Sequence, residues 1–115
     1  MVERSAIFTH VLHALLGNVP TSLRALVITL DEETKFSQWT AYFDDEAFDD
    51  ELEIVRVANT EFFSSFSEAE LSGSDVENEF IPWPEPLPWV GTGEIDGYLV
   101  YLRYEKPKHS RKHLL

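Results

Sequence analysis

Residues 23–43 read LRALVITLDEETKFSQWTAYF, and this stretch decides the fold. Leu23 to Leu30 is an aliphatic and β-branched run of strand length with both faces largely apolar, which predicts a central strand. The polar break DEET is short enough for a hairpin. From Lys35 to Phe43, larger and smaller side chains alternate with Gln, Thr and Tyr. This period of two predicts a second strand, paired with the first as a β-hairpin.

A helix is predicted on each side of the hairpin. Between Glu3 and Leu16, apolar residues recur in pairs at the i, i+3, i+4 spacing of a helix with one buried stripe, and Gly17 follows as a stop signal. Between Asp49 and Phe66 one face is apolar, and acids lie at the positive N-terminal end. Both patterns indicate helices that bury one face.

Two more strands are predicted after the second helix, at Val76–Ile81 and Tyr98–Tyr104. Four prolines interleave with tryptophans between them, which favours an extended polyproline-like segment. The order α-β-β-α-β-β predicts an α+β fold, a single domain with a mainly antiparallel four-stranded sheet and two helices packed on it. We expect residues 1–105 to form this domain and residues 106–115 to form a basic, flexible tail.

The composition excludes several classes of function. Twenty-one Asp and Glu against nine Lys and Arg give a net charge of -12. Four of the nine bases follow residue 105, so the first 105 residues hold five bases against 21 acids, a balance of -16. Such a charge argues against binding nucleic acid or an anionic lipid surface. No apolar run approaches the ~20 residues of a membrane span, and no signal-peptide pattern is present, so we expect a cytoplasmic protein.

The sequence has no pattern typical of catalysis or of a cofactor site. It has no cysteine. His10 and His13 are spaced to share a metal ion, but only Glu3 is a distant third ligand, so a place on the helix surface is favoured. The only G-x-G, at Gly91, lacks the third glycine and the strand–helix context of a phosphate-binding loop. We therefore expect a non-enzymatic protein with no cofactor and no metal.

The strongest functional signal is a run of seven acids within the ten residues from Asp44 to Glu53. Some of this charge stabilises the start of a helix, at ~0.3–1 kcal/mol for each well-placed carboxylate. The rest would form a negative surface that steers a basic partner. Trp83 is a candidate aromatic anchor, although the proline–tryptophan run can instead be a rigid loop that caps the core. The residues predicted to bind the partner are Asp44, Asp45, Glu46, Asp49, Asp50, Glu53 and Trp83.

Five short stretches follow one another in the chain: LLGNVP at 15–20, LRALVI at 23–28, YFDDE at 42–46, ANTE at 58–61 and PWPEPL at 82–87. In their order and spacing they resemble a family of small bacterial immunity proteins, which neutralise the toxins of contact-dependent growth inhibition and related polymorphic toxin systems. The resemblance covers about residues 14–103. It implies a cytoplasmic partner for the C-terminal domain of a cognate toxin, often a nuclease.

Charge and resemblance lead to the same hypothesis. Nucleases hold phosphate backbones in basic clefts, so an acidic protein can cover such a cleft, or it can bind beside the active site and block access. We predict an immunity protein that binds and neutralises a cognate toxin domain through an acidic surface. The alternative is a non-enzymatic adaptor or subunit that uses the same surface for another basic protein.

Overall fold

Two helices and four strands are present in the part of the chain that the computed structural model describes, residues 3–44, 49–82, 85, 87 and 97–103. In chain order they are α1 (Arg4–Leu15), β1 (Leu23–Asp31), β2 (Phe36–Phe43), α2 (Asp49–Ser64), β3 (Gly73–Phe80) and β4 (Tyr98–Leu102). The α+β class and the order α-β-β-α-β-β are therefore confirmed. Of the proline–tryptophan run, residues 82, 85 and 87 are described, and the tail at 106–115 lies outside the described residues.

The sheet is mixed, with the strand order β3-β2-β1-β4. β1 pairs antiparallel with β2 through the hairpin and antiparallel with β4 on its other side. β2 and β3 run parallel, in register from Phe36 with Gly73 to Phe43 with Phe80. A parallel neighbour requires the chain to return to the starting end of β2, and α2 makes that return. The sheet is thus mainly antiparallel, as predicted, and contains one β2-α2-β3 unit.

The core lies between one face of this sheet and the two helices. Residues 23–28 of β1 are all buried, as expected for a middle strand. On the face toward the helices, Ile28 belongs to one cluster with Trp39 of β2, Ile7 of α1 and Phe62 of α2. The Trp39 and Phe62 rings lie 5.4 Å apart. The apolar face of α2 is therefore buried on the sheet, whereas of the apolar pairs in α1 the first members are buried and Leu12 and Leu16 are exposed.

Several element boundaries differ from the prediction by one to three residues, and two of these differences have a visible cause in the structure. β3 begins at Gly73, three residues before the predicted Val76. The earlier start is stabilised by β2, because the Ser37 hydroxyl donates to the Ser74 hydroxyl at 2.6 Å. α2 ends at Ser64 rather than Phe66, because the N–H of Phe66 donates to the carbonyl three residues back at 3.1 Å. Such i, i+3 bonds tighten the last turn of a helix.

The pairing of β4 with β1 contains an irregularity. Leu99 pairs with Val27, but Tyr101 pairs with Leu26, so Val100 is an extra residue that bulges out of the ladder. After the bulge the side chains change faces, and Leu102 is about half exposed instead of lying on the same face as Tyr98. The strand also ends at Leu102, two residues before the predicted Tyr104.

The close approach of residue 97 to β1 provides a test of the fold. Gly97 has φ +110°, and a Cβ there would lie 2.6 Å from the carbonyl oxygen of Ile28 and 2.5 Å from Thr29 Cγ2. Gly97→Ala should therefore destabilise the protein by about 3 kcal/mol, from backbone strain and overpacking together. Urea unfolding measures this loss.

Gly17→Ala is the matched control. Gly17 has φ +75°, but a Cβ there has no atom within 4 Å. Only the left-handed conformation is penalised, at about 1 kcal/mol. Equal losses for the two variants would contradict the close packing of Gly97 on β1.

Candidate functional site

The acidic segment lies at the end of the sheet where β2 stops and α2 begins. Asp49 and Asp50 are exposed in the first turn of α2, and Glu53 is exposed one turn later. Glu53 lies 3.7 Å from Arg56, with both side chains more than half exposed. Carboxylates at a helix N-terminus are favoured by the helix dipole. These three acids therefore stabilise α2 while remaining accessible to a partner.

Asp44 is held inside the domain. Its Oδ2 lies 2.6 Å from Nη2 of Arg103, and each of the two side chains is only 23% exposed. Nη1 of Arg103 also donates to the carbonyl oxygen of Thr21 at 2.8 Å. The pair therefore joins the end of β2 to the end of β4 and to the loop before β1.

Glu51 also makes a contact within the domain. The Ser22 hydroxyl donates to Glu51 Oε2 at 2.7 Å, and the carbonyl of Ser22 accepts the N–H of Asp44 at 3.0 Å. The loop before β1 is thereby bonded to the first turn of α2. Among the predicted binding residues, Asp45, Glu46 and Trp83 lie outside the described residues.

A second group of acids, outside the predicted binding set, runs along β3. Ser74 donates to Asn59 of α2 at 2.6 Å, and Val76 packs against the core, so the even-numbered residues of β3 face the helices. The odd-numbered side chains lie on the opposite face of the sheet. The β3 row, as we call these exposed acids, consists of Asp75, Glu77 and Glu79.

Tyr42 of β2 lies beside the β3 row, directly paired with Glu79. Partial burial raises the pKa of the Tyr42 hydroxyl, and the negative charges of Glu79 and Glu77 raise it further. The alternation of acids along β3 is visible in the sequence. The parallel register that brings them to Tyr42 is not, because nothing local to either strand specifies its neighbour.

The two groups of acids flank the sheet, because α2 packs on one face and the β3 row lies on the other. β2 and β3 end together, with Phe43 paired to Phe80, and α2 begins just beyond β2. Asp49, Asp50 and Glu53 of α2, together with the β3 row, make up what we call the acidic surface. Its chemistry suits a positively charged macromolecule.

Within the described residues, neither His10 nor a small pocket beside the hairpin loop has the features of a ligand site. The His10 ring packs edge-on against Phe66, with ring centroids 4.8 Å apart. Within the described ranges, no three His, Cys, Asp or Glu side chains are placed to hold one metal ion. A pocket of about 100 Å³ lies beside the hairpin loop, between Leu30 and Leu71. Ligand pockets commonly measure ~300–1,000 Å³.

Comparison with known proteins identifies the family. The family model for the MafI2 immunity protein matches residues 4–105, a range that includes both helices and all four strands. The chain belongs to the MafI2 immunity protein family. A search of the curated proteins found no match. As a member of the MafI2 immunity protein family, the protein confers immunity against a toxin, and its partner is a protein. The bacterial immunity protein indicated by the sequence is thus confirmed.

The residues of this family member that the structure describes include no helix with the length and apolar character needed to cross a membrane.

A double-mutant cycle tests the structural role of Asp44. Replacing Asp44 and Arg103 by Ala, singly and together, should give a coupling free energy of about 1 kcal/mol in urea unfolding, because the pair is largely shielded from water. The same cycle on Glu53 and Arg56, which are both exposed, should give at most about 0.5 kcal/mol. Equal coupling free energies in the two pairs would contradict a structural role for the Asp44–Arg103 ion pair.

The proximity of Tyr42 to the β3 row gives a spectroscopic test. Glu79→Gln should lower the pKa of Tyr42, and Glu77→Gln should lower it less, in the order of their influence. The measurement is the ultraviolet absorbance of tyrosinate against pH, with Tyr42→Phe used to isolate the signal. Glu61→Gln, on α2, is the control and should leave the pKa of Tyr42 unchanged.

The raised pKa of Tyr42 also predicts how the stability of the fold depends on pH. The folded state holds the Tyr42 proton more tightly than the unfolded state, so the contribution to stability is full below about pH 10. It is lost as the pH rises through the raised pKa of the folded state.

Proposed function

We propose that this immunity protein neutralises its toxin by placing the acidic surface against a basic cleft, and that the toxin domain is a nuclease. The observation that carries the proposal is the set of exposed acids of α2 and β3, on a domain that belongs to an immunity family. A nuclease needs basic side chains to hold a phosphate backbone. Those same side chains would be attracted to a surface of exposed carboxylates.

The need for rapid capture of a toxin favours an electrostatic mechanism. An immunity protein has to capture its toxin before the toxin acts, so a high association rate is useful. Electrostatic steering raises association rates from roughly 10⁵–10⁶ to roughly 10⁸–10⁹ M⁻¹s⁻¹ at low salt. A balance of -16 over the first 105 residues destabilises the compact state through self-repulsion, and steering is a function that such a charge can serve.

The predicted binding residues take different parts in this proposal. Asp49, Asp50 and Glu53 are exposed and are assigned to direct contact with the toxin. Asp44 is assigned to positioning the acidic segment, since Arg103 holds its carboxylate. The further residues assigned to contact are Asp45, Glu46 and Trp83.

The finer features of the proposal follow from neutralisation by binding. The protein would act without a cofactor and without catalysis, as one domain over residues 1–105 with a basic tail at 106–115. It would act in the cytoplasm, where a toxin domain delivered by contact-dependent inhibition meets its substrate. The family match over residues 4–105 supports the single domain, and the lack of catalytic patterns in the sequence supports action by binding alone.

Co-expression is the direct test of the proposed function. The chain is produced with the toxin domain encoded immediately upstream, and cell survival and co-purification are scored. We expect the cells to survive and the two proteins to form a stable complex. We also expect the purified toxin domain to cleave nucleic acid when it is free and to lose this activity in the complex. Death without a complex would overturn the proposal. A toxin domain that cleaves neither DNA nor RNA would remove the nuclease part alone.

Charge neutralisation tests the surface itself. Asp49→Asn with Asp50→Asn removes two charges from α2, and Glu77→Gln with Glu79→Gln removes two from β3. Each double variant should associate about 3- to 10-fold more slowly at low salt, and the difference should shrink as salt is added, because screening removes steering. Stopped-flow or interferometry measures the rates.

Glu61→Gln with Glu68→Gln is the charge-matched control. These exposed acids lie toward the other end of α2 and beyond it, so the net charge changes equally but the acidic surface is intact. We expect a clearly smaller effect. Equal slowing by all three double variants, or association rates that do not change with salt, would contradict the proposed surface.

A further inference from the structure

β3 is an edge strand with a regular backbone. The strand order places it at one end of the sheet, and it pairs with β2 over its whole length without a shift in register. Among the described residues, no strand pairs with its outer edge. Edge strands are commonly shortened, bulged or interrupted by proline, since their open N–H and C=O groups accept another strand. β3 spans Gly73–Phe80 without a bulge or a proline.

The backbone groups that point outward can be assigned. In a parallel ladder, alternate residues bond to the neighbouring strand. Just after β3, the N–H of Ile81 donates to the carbonyl of Phe43 in β2 at 2.8 Å, so odd-numbered residues bond inward. Ser74, Val76 and Asn78 therefore direct their N–H and C=O groups outward. The N–H of Val76 agrees with this, because it donates to the Asp75 side chain at 2.8 Å instead of to β2.

We propose that this edge is where the toxin docks, by adding an extended, basic strand of its own beside β3. The inference rests on the proposed function, since it needs a toxin partner, and it specifies how that partner is held. Main-chain hydrogen bonds would give affinity, and alternating side chains would give specificity.

Charge selects the occupant. Directly opposed side chains on neighbouring strands lie ~4.5–5.5 Å apart, so Lys or Arg at every second position would meet the β3 row. On the other face, the alternate side chains would meet Phe80, which is 55% exposed, and apolar residues suit that position. A second copy of this chain is the wrong occupant, because edge-to-edge pairing of two β3 strands would place two acidic rows side by side.

Asp75 controls access to the edge. In the free protein its carboxylate occupies the outward N–H of Val76, and the three negative charges of the β3 row discourage pairing with neutral or acidic strands. A basic strand supplies a cation for that carboxylate and leaves the N–H of Val76 for the new ladder. The outer edge of β3 would therefore pair with a positively charged strand and not with a neutral or acidic one.

Asn78→Pro is the variant that tests the edge. Proline lacks the outward N–H and obstructs a neighbouring strand, but the inward bonds of residues 77 and 79 to β2 remain. Asn78→Ala is the matched control, which loses the same amide side chain and keeps the N–H. The full chain and the toxin domain encoded immediately upstream are used. Asn78→Pro should weaken binding by about 10-fold or more, and Asn78→Ala by less than about 3-fold.

Hydrogen exchange of the unmodified protein is a second measurement that does not depend on the variant folding. The amides of Ser74, Val76 and Asn78 should exchange more slowly in the complex than in the free chain. A stable, protective complex in which these amides exchange at the free rate, or which Asn78→Pro binds as tightly as the unmodified chain, overturns docking at the edge and leaves the proposed function standing. A chain that neither binds nor protects overturns both.

Discussion

The parallel pairing of β2 with β3 is the constraint on which the rest of the structure depends. A chain of buried polar groups sets its register. The Ser37 hydroxyl donates to Ser74, and Ser74 donates to Asn59 of α2, both at 2.6 Å. Ser37 is fully buried and Asn59 nearly so, and buried polar groups left unpaired are costly. A slip of one residue would break this chain and turn Val76 away from the core.

The charge distribution follows from that pairing. Because α2 must begin where β2 ends, the acids of its first turn sit at the positive end of a helix dipole and remain in water. Because odd-numbered residues of β3 lie on the sheet face away from the helices, its three acids remain exposed. The one buried arginine, among the described residues, is Arg24, which donates to the carbonyl of Ile81 at 3.3 Å. A strongly negative domain can therefore fold, since its carboxylates lie outside its core.

Local patterns predicted the elements well, and long-range pairing less well. The apolar run of β1 predicted a buried middle strand, and the apolar face of α2 predicted the burial of Val55 and Phe62. The parallel direction of β3 could not be predicted, because alternation has the same period in either direction. The same contrast holds for the site. The exposed acids of α2 could be identified from the local sequence, whereas the pairing of Asp44 with Arg103 could not, because it depends on where β4 ends.

A recognition protein that waits for its partner must keep binding groups unsatisfied without aggregating, and the two edges of this sheet differ in how they do so. β4 is five residues long and bulged, and both features disfavour pairing. β3 is longer and regular, and it carries like charges at every second position instead. An apolar edge of that length would pair with many strands, including its own copy. In the proposed docking, an acidic edge would exclude its own copy by repulsion and leave its hydrogen-bonding groups to a basic strand, so one set of carboxylates would both prevent self-pairing and select the partner.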